Sequence, residues 1–302
     1  MNETKKYRVI IIVTTFLLYS AAIYANPNSC YDDTKKNTDN YAACLAKAKQ
    51  GDSNAQYNLG LMFYLGKGTK QDYQQAIQWY QKASNQDDAD AQYKLGNIYY
   101  HGKGVTQDHK QAIKWYKQSA QQGNPDAQNS LGIMYSDGVG TPEDKKQAFV
   151  LYKRAAEQND SNAQFNLALA YVDGEGTEQN YKQAINWFQK SAIQGELNAQ
   201  NHLAFLHYTG QGTPQDYKQA IKWYKKAANQ GDAGAQFNLG VIYYYGQGVT
   251  SDYVRAYKWF SLAELKNNDK NNMKKRIAKK MTSNQMTEAK ALMSDWRKIN
   301  KQ

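Results

Sequence analysis

Apolar and polar positions recur along this chain in two helical rhythms that return every 36 residues. In the first rhythm Ala55, Leu59, Met62 and Phe63 fall at i, i+4, i+7 and i+8, the spacing of one helix face. The segment Ala55-Gln56-Tyr57-Asn58-Leu59-Gly60 returns with the same spacing at Ala91, Ala127, Ala163, Ala199 and Ala235. Six copies without an insertion predict a repeat architecture. Asp52 stands where a helix N-cap belongs, and Asn124-Pro125 offers an N-cap followed by proline at the first helical position. The helix then stops at a Gly-x-Gly turn, Gly66/Gly68 in the first copy and Gly246/Gly248 in the sixth. A second helix opens at Asp72-Tyr73-Gln74-Gln75, read as a reciprocal capping box, and buries Tyr73, Ala76, Ile77, Tyr80 and Ala83 with Trp79 alongside.

A lone helix pair cannot cover both of its apolar sides, so each pair must stack on its neighbours. The pattern therefore predicts an all-α, right-handed α-solenoid of six 36-residue helix-turn-helix repeats. Their bounds are 55–90, 91–126, 127–162, 163–198, 199–234 and 235–263. Residues 40–54 align with the second helix of a preceding unit, giving an N-terminal half-repeat within a cap of residues 26–54. After Ala263 the period is lost, and residues 264–302 read as C-terminal capping helices, with Thr282-Ser283-Asn284-Gln285 a capping box. Small residues recur where paired helices must approach: Gly60, Gly96, Gly132 and Gly240 in the first helix, Ala76 through Ala256 in the second.

Composition changes this picture little. Apolar residues make up 41% and aromatics 13% of 302 residues, which excludes multi-span membrane and disordered classes. The N-terminus differs: Lys5, Lys6 and Arg8 precede an apolar run from Val9 to Tyr24, with Ala21, Ala22 and Ala25 after its core. Residues 1–25 thus read as a secretory signal peptide cleaved after Ala25 or Ala22, an uncleaved inner-membrane anchor being the alternative. The expected compartment is the periplasm or the exterior. Cys30 and Cys44 follow this segment, and an even count in an exported chain reads as one disulfide; the competing reading is a buried Cys44 beside a free Cys30 thiol.

The net charge of +11 is uneven: residues 26–263 hold 24 Lys+Arg against 22 Asp+Glu, while residues 264–302 hold 11 against 4. No basic stripe runs along the repeats, so nucleic acid is not an expected partner. Membrane contact is expected only through the leader or the basic C-terminal cap. Catalytic groups are not apparent. His109 and His207 take positions that other copies give to tyrosine, and His202 and His207 are five apart, off the metal-binding i, i+4 spacing. The Gly-x-Gly turn follows a helix rather than a strand, unlike a phosphate loop. No catalytic residue, metal or cofactor is assigned.

The pattern Ala-x-x-x-Leu-Gly-x-x-Tyr of Ala91 to Tyr99, the Gly-x-Gly turn, and the Tyr-x-x-Ala-x-x-Trp-Tyr-x-x-Ala-Ala-x-x-Gly of Tyr217 to Gly231 resemble the SEL-one-like repeat, a longer-looped relative of the tetratricopeptide repeat. The resemblance spans roughly residues 40–263. It implies an adaptor scaffold, and for exported bacterial members an envelope function or host contact. One branch, the Helicobacter cysteine-rich proteins, implies as a rival reading an enzyme acting on cell-wall peptides or β-lactams. That branch carries a cysteine pair in each repeat, and the six repeats here contain none.

Against the fixed Leu59, Leu95, Leu131, Leu167, Leu203 and Leu239, another stripe of the first helix changes in every copy. By likeness to tetratricopeptide scaffolds it would line a concave groove. The groove residues expected to hold a protein segment or an envelope glycan are Tyr57, Asn58, Tyr64, Tyr93, Asn97, Tyr100, Asn129, Asn166, Asn201, Tyr208, Asn238 and Tyr244. The competing role for these positions is packing between successive first helices. The chain is expected to act as a monomer.

Overall fold

The computed structural model describes residue 30, residues 36–264 and residues 272–299, so the leader and its cleavage site lie outside the described residues. The chain divides into two compact units, one ending at Ala163 and one beginning at Gln164. The first holds α1 (Asn37–Lys49), α2 (Ser53–Leu65), α3 (Tyr73–Ser84), α4 (Ala89–His101), α5 (His109–Gln121), α6 (Pro125–Asp137) and α7 (Lys145–Glu157). After α8 (Ser161–Asp173), the second holds α9 (Tyr181–Ile193), α10 (Leu197–Thr209), α11 (Tyr217–Asn229), α12 (Ala233–Tyr245) and α13 (Tyr253–Glu264). It closes with α14 (Met273–Ala278) and α15 (Ser283–Ile299). No strand occurs among the described residues. The fold is an all-α solenoid of helix pairs, and none of the described helices is long and apolar enough to cross a membrane.

Within a pair, the first helix carries a small residue so that an aromatic of the second can lie against its backbone. A Cβ on Gly60 would stand 2.7 Å from the Tyr80 ring, one on Gly132 2.7 Å from Tyr152, and one on Gly240 2.7 Å from Phe260. These rings are almost wholly buried and, with Leu59, Leu95 and Leu167, form the core. The turn between the paired helices is equally constrained. Gly66 ends α2 in the left-handed conformation at φ 70°, and the N–H of Asp72 returns to the Phe63 carbonyl at 2.9 Å. The same bond joins Asp108 to Tyr99, Asp216 to His207 and Asp252 to Tyr243. It corrects the capping box expected at Asp72. The carboxylate does accept from the Gln74 and Gln75 amides at 2.9 and 3.0 Å, but its own N–H is already used, leaving the Gln75 side chain nothing to cap. The box at Thr282 does close in both directions, Thr282 N to Gln285 Oε1 at 2.9 Å and Gln285 N to Thr282 Oγ1 at 3.2 Å.

The second glycine of each turn has a different task. A Cβ on Gly104 would stand 2.5 Å from the Cβ of Tyr73, and one on Gly140 2.7 Å from that of His109, so these glycines let one turn approach the preceding pair. The repeated Gly-x-Gly is therefore spent on packing.

Successive pairs are also joined by a ladder of amides. Gln56 Nε2 donates to the Ala48 carbonyl at 3.2 Å, and Gln56 Oε1 accepts from Gln86 Nε2 at 2.8 Å. The second bond recurs from Gln122 to Gln92, Gln158 to Gln128, Gln194 to Gln164 and Gln230 to Gln200, at 2.8 to 2.9 Å. A buried amide that satisfies the end of one helix and the turn beyond the next fixes the stacking register. In the sixth copy the Oε1 of Gln236 is buried without a partner. Thirty residues on, the sequence has Lys266 instead of glutamine. Replacing Gln128 by Leu removes its bonds to the Ala120 carbonyl and from the Gln158 amide, which keep the Gly123 N–H and the Arg154 carbonyl as other partners, and is expected to lower stability by about 1–2 kcal/mol, measured by chemical denaturation.

One cap carries a charge that the fold penalises. Asp160 accepts from the Ala163 N–H at 2.6 Å, yet burial, with Asp126 adding to it, raises its carboxyl to about 6. A raised folded value means that the native state holds a proton which the unfolded chain has released. Stability should therefore fall as pH rises from about 4 through 6. The equivalent cap one repeat earlier is Asn124, which makes the same bond to Ala127 at 2.8 Å without the charge. Asp160→Asn is expected to stabilise by about 1 kcal/mol at pH 7 and by almost nothing at pH 4, read from melting curves at the two values.

Cys30 and Cys44 are joined as a disulfide with Cα atoms 4.8 Å apart. Cys44 occupies on α1 the position that Tyr80 takes on α3, and α1 lacks a preceding partner helix among the described residues. Cys30 packs with Cys44, Ala48, Ala55, Leu59 and Met62, covering the apolar side that a complete pair would cover with its first helix.

Candidate functional site

The variable stripe of the first helices divides by burial into two classes. Tyr57, Asn58, Asn97, Asn129 and Asn166 are buried. The Tyr57 ring lies 5.8 Å from that of Tyr80, Asn58 Nδ2 reaches Cys30 Sγ at 3.8 Å, and Asn97 Oδ1 accepts from the Tyr116 hydroxyl at 2.6 Å. These side chains are committed within the fold. The Asn97–Tyr116 bond explains its own position: the corresponding Leu61 gives Tyr80 no acceptor, and the Tyr80 hydroxyl is buried unpartnered.

Tyr64, Tyr93, Tyr100, Asn201, Tyr208, Asn238 and Tyr244 are half-buried and keep part of their surface in solvent. Asn201 Nδ2 donates to Asp232 at 3.1 Å, and Asn238 is hydrogen-bonded to the Tyr224 hydroxyl. Tyr93 rests 5.9 Å from Tyr116 beside Lys94, whose ammonium burial destabilises. The tyrosines at the end of the first helices are braced in a repeating way. Tyr64 meets the ring of Tyr73 at 5.2 Å and Tyr100 that of His109 at 5.2 Å in the first unit. In the second unit Tyr208 meets Tyr217 at 5.5 Å and Tyr244 meets Tyr253 at 5.7 Å. Each brace is the first residue of the helix that follows, so the turn that ends one helix delivers the ring that holds a tyrosine of its last turn. Burial and Tyr73 push the Tyr64 hydroxyl up to about 12, which keeps it a neutral donor. A braced, half-exposed phenol loses little freedom when a ligand stacks on it.

The histidines do not form a reactive centre. His202 is held between Phe165 and Phe188, with ring centroids 5.6 and 5.3 Å away, and burial lowers it to about 4, so it is neutral near pH 7. His109 serves as a brace, as its alignment with tyrosine predicted. Among the described residues no group of three or more His, Cys, Asp or Glu is placed to hold a metal ion.

The Sel1 repeat family model matches residues 53–88, 89–124, 125–160, 161–196, 197–232 and 233–268. The chain belongs to the Sel1 repeat family. Its matched repeats start two residues before the phase read from Ala55, because the capped first turn at Ser53 belongs to the unit. A crystal structure of c5321, described as a protective antigen present in uropathogenic Escherichia coli strains and displaying an SLR fold, is similar with a TM-score of 0.80 and 36% identity. That match covers 87% of this chain and 57% of the other, so this chain spans little more than half of that relative. The Sel1 repeat protein from Oxalobacter formigenes is similar at TM-score 0.69 and 32% identity, over 76% of this chain and 94% of that one. A putative sel1-like repeat-containing protein, L18, of Acanthamoeba polyphaga mimivirus is 56% identical over 39 residues, which is 13% of this chain and 7% of that protein. Sel1 repeat proteins generally mediate protein–protein interaction, and the scaffold is typically non-enzymatic.

Two features escaped the sequence pattern. The glutamine partners stand at a fixed +30 offset in five copies, a signal visible in the sequence but overshadowed by the 36-residue period. Phe205, in the middle of the stripe on α10, is 47% exposed, whereas its counterparts Ile133 and Leu169 are buried. Nothing in its local sequence sets it apart.

Proposed function

We propose that this protein is an exported binding scaffold that grips an extended protein segment along the outer turns of its first helices. The observation that carries this reading is the set of braced, half-exposed tyrosines within each unit, Tyr64 and Tyr100 in one and Tyr208 and Tyr244 in the other. Each lies on a helix whose opposite side is locked by leucine, so these half-exposed positions can change with less effect on the core than the buried members of the stripe. Repeated modest stacking contacts give affinity without a single decisive residue. Export is supported by the leader pattern of residues 1–25 and by a disulfide, which persists in oxidising compartments. An envelope or host-contact role, in the periplasm or outside the cell, fits these features.

Crosslinking capture from the envelope fraction of the native host tests the reading. Replacing Tyr100 and Tyr208 together by serine should reduce recovery of specific partners at least fivefold while circular dichroism stays helical. Undiminished capture would remove the stripe from consideration and point to the opposite helices.

A further inference from the structure

The basic C-terminal segment does more than cover the last repeat. Lys280, just beyond α14, reaches back to α12, where its Nζ donates to the Tyr244 hydroxyl at 2.9 Å. The ammonium stands 5.1 Å from the Tyr244 ring centre and 5.8 Å from that of Tyr253. Arg276 acts on the same hydroxyl, and together the two cations hold it below the ordinary tyrosine range. A phenol that accepts from an ammonium still has its own O–H to donate, and the ammonium has further N–H groups. Arg276 makes a long contact from Nη1 to Met273 Sδ, 3.9 Å, which draws little on a guanidinium.

An apolar shelf adjoins these donors. The Tyr208 hydroxyl donates to Gln247 Oε1 at 3.0 Å, placing that ring beside the turn that follows Tyr244. Phe205, one turn earlier on α10, is 47% exposed, and Tyr245 is 63% exposed. The exposed Phe205 ring on α10 and the Lys280 ammonium held against α12, linked through the bond of Tyr208 to the turn after Tyr244, match a ligand that carries an anionic group and an apolar one. We propose that this corner of the second unit seats an acidic peptide segment, its carboxylate on Tyr244, Lys280 and Arg276 and an adjoining apolar side chain on Phe205 and Tyr208. The inference rests on the scaffold reading above and names the chemistry of the segment gripped there. Charge complementarity supports it, since residues 264–302 hold 11 basic against 4 acidic residues. A peptide is favoured over a lipid surface because Sel1 repeat proteins generally mediate protein–protein interaction.

Fluorescence anisotropy on the full chain tests this with a labelled Asp-Glu-Phe-Asp-Glu-Leu peptide and its Asn-Gln-Phe-Asn-Gln-Leu counterpart. The acidic peptide should bind at least tenfold more tightly, and Lys280→Gln with Arg276→Gln should abolish that difference while leaving the neutral peptide unaffected. Phe205→Ser should weaken both. Equal affinity for the two peptides overturns the acidic preference and leaves the scaffold reading standing, because the neutral peptide still reports on the stripe. Failure of both peptides to bind overturns the proposed seat, and capture through Tyr100 and Tyr208 then decides the scaffold reading on its own. Displacement of the acidic peptide by phosphatidylglycerol vesicles, dependent on Lys280, overturns the peptide assignment in favour of a membrane surface.

Discussion

Gly132→Leu is expected to destabilise the first unit by about 3 kcal/mol, whereas Gly132→Ala should leave it nearly unchanged. A Cβ at this position falls 2.7 Å from the Tyr152 ring and 3.4 Å from the Ala148 carbonyl. The first contact is closer than unstrained carbons allow, so the ring must withdraw by several tenths of an ångström. The fold shows that such an adjustment is available, since Ala168 and Ala204 occupy the same position in other copies and are fully buried. Alanine also gains about 1 kcal/mol of helix propensity over glycine, which offsets the crowding. Leucine has no such accommodation. Its branch must enter the space filled by Tyr152, which is 2% exposed, and the displaced ring must push into close-packed neighbours. Urea denaturation of both variants separates the cases. A fall of less than 1 kcal/mol for leucine would mean that the paired helices slide apart at little expense, and the close approach would lose its structural meaning.

The contrast between these variants also shows how the sequence encodes this fold. Helix identity, period and small contact positions were legible because each is set by local chemistry repeated six times: an Asp, Asn or Glu cap, a glycine stop, a leucine stripe. Gly60 was readable as a position of close approach, but its contact with the Tyr80 ring, twenty residues on, is seen only in the fold. The exposure of the variable stripe was not readable in the same way. Asn97 and Asn201 look alike in sequence, yet Asn97 is buried beneath the Tyr116 hydroxyl and Asn201 stays partly in solvent beside Asp232. Which amide is used internally depends on whether the neighbouring aromatic carries a hydroxyl and where that hydroxyl points. The contact of Lys280 with Tyr244 lay beyond the sequence for a related reason. It spans 36 residues but joins a repeat to a segment that has left the repeat pattern, so no recurrence marks it.

Reduction of the Cys30–Cys44 bond, or the double change Cys30→Ser with Cys44→Ala, is expected to release the N-terminal end at a loss of about 3 kcal/mol to that end. The bond closes a loop with a separation of 14 residues, for which removal of chain entropy from the unfolded state amounts to about 3 kcal/mol. Loop entropy is only part of the effect. Among the described residues no first helix partners α1, and Cys30 packs into the apolar cluster formed by Ala48, Ala55, Leu59 and Met62. Without the bond Cys30 must remain in place through its own packing, and one small side chain buries too little area to offset the entropy of ordering it. A solenoid transmits such a loss mainly to the nearest repeat, because each pair touches only its neighbours. Hydrogen exchange should therefore show protection lost across α1, reduced in α2 and retained in α6. Uniform loss of protection throughout the first unit would show that the terminal bond supports the unit as one cooperative block. Unchanged protection in α1 would show that packing alone holds the end of the stack.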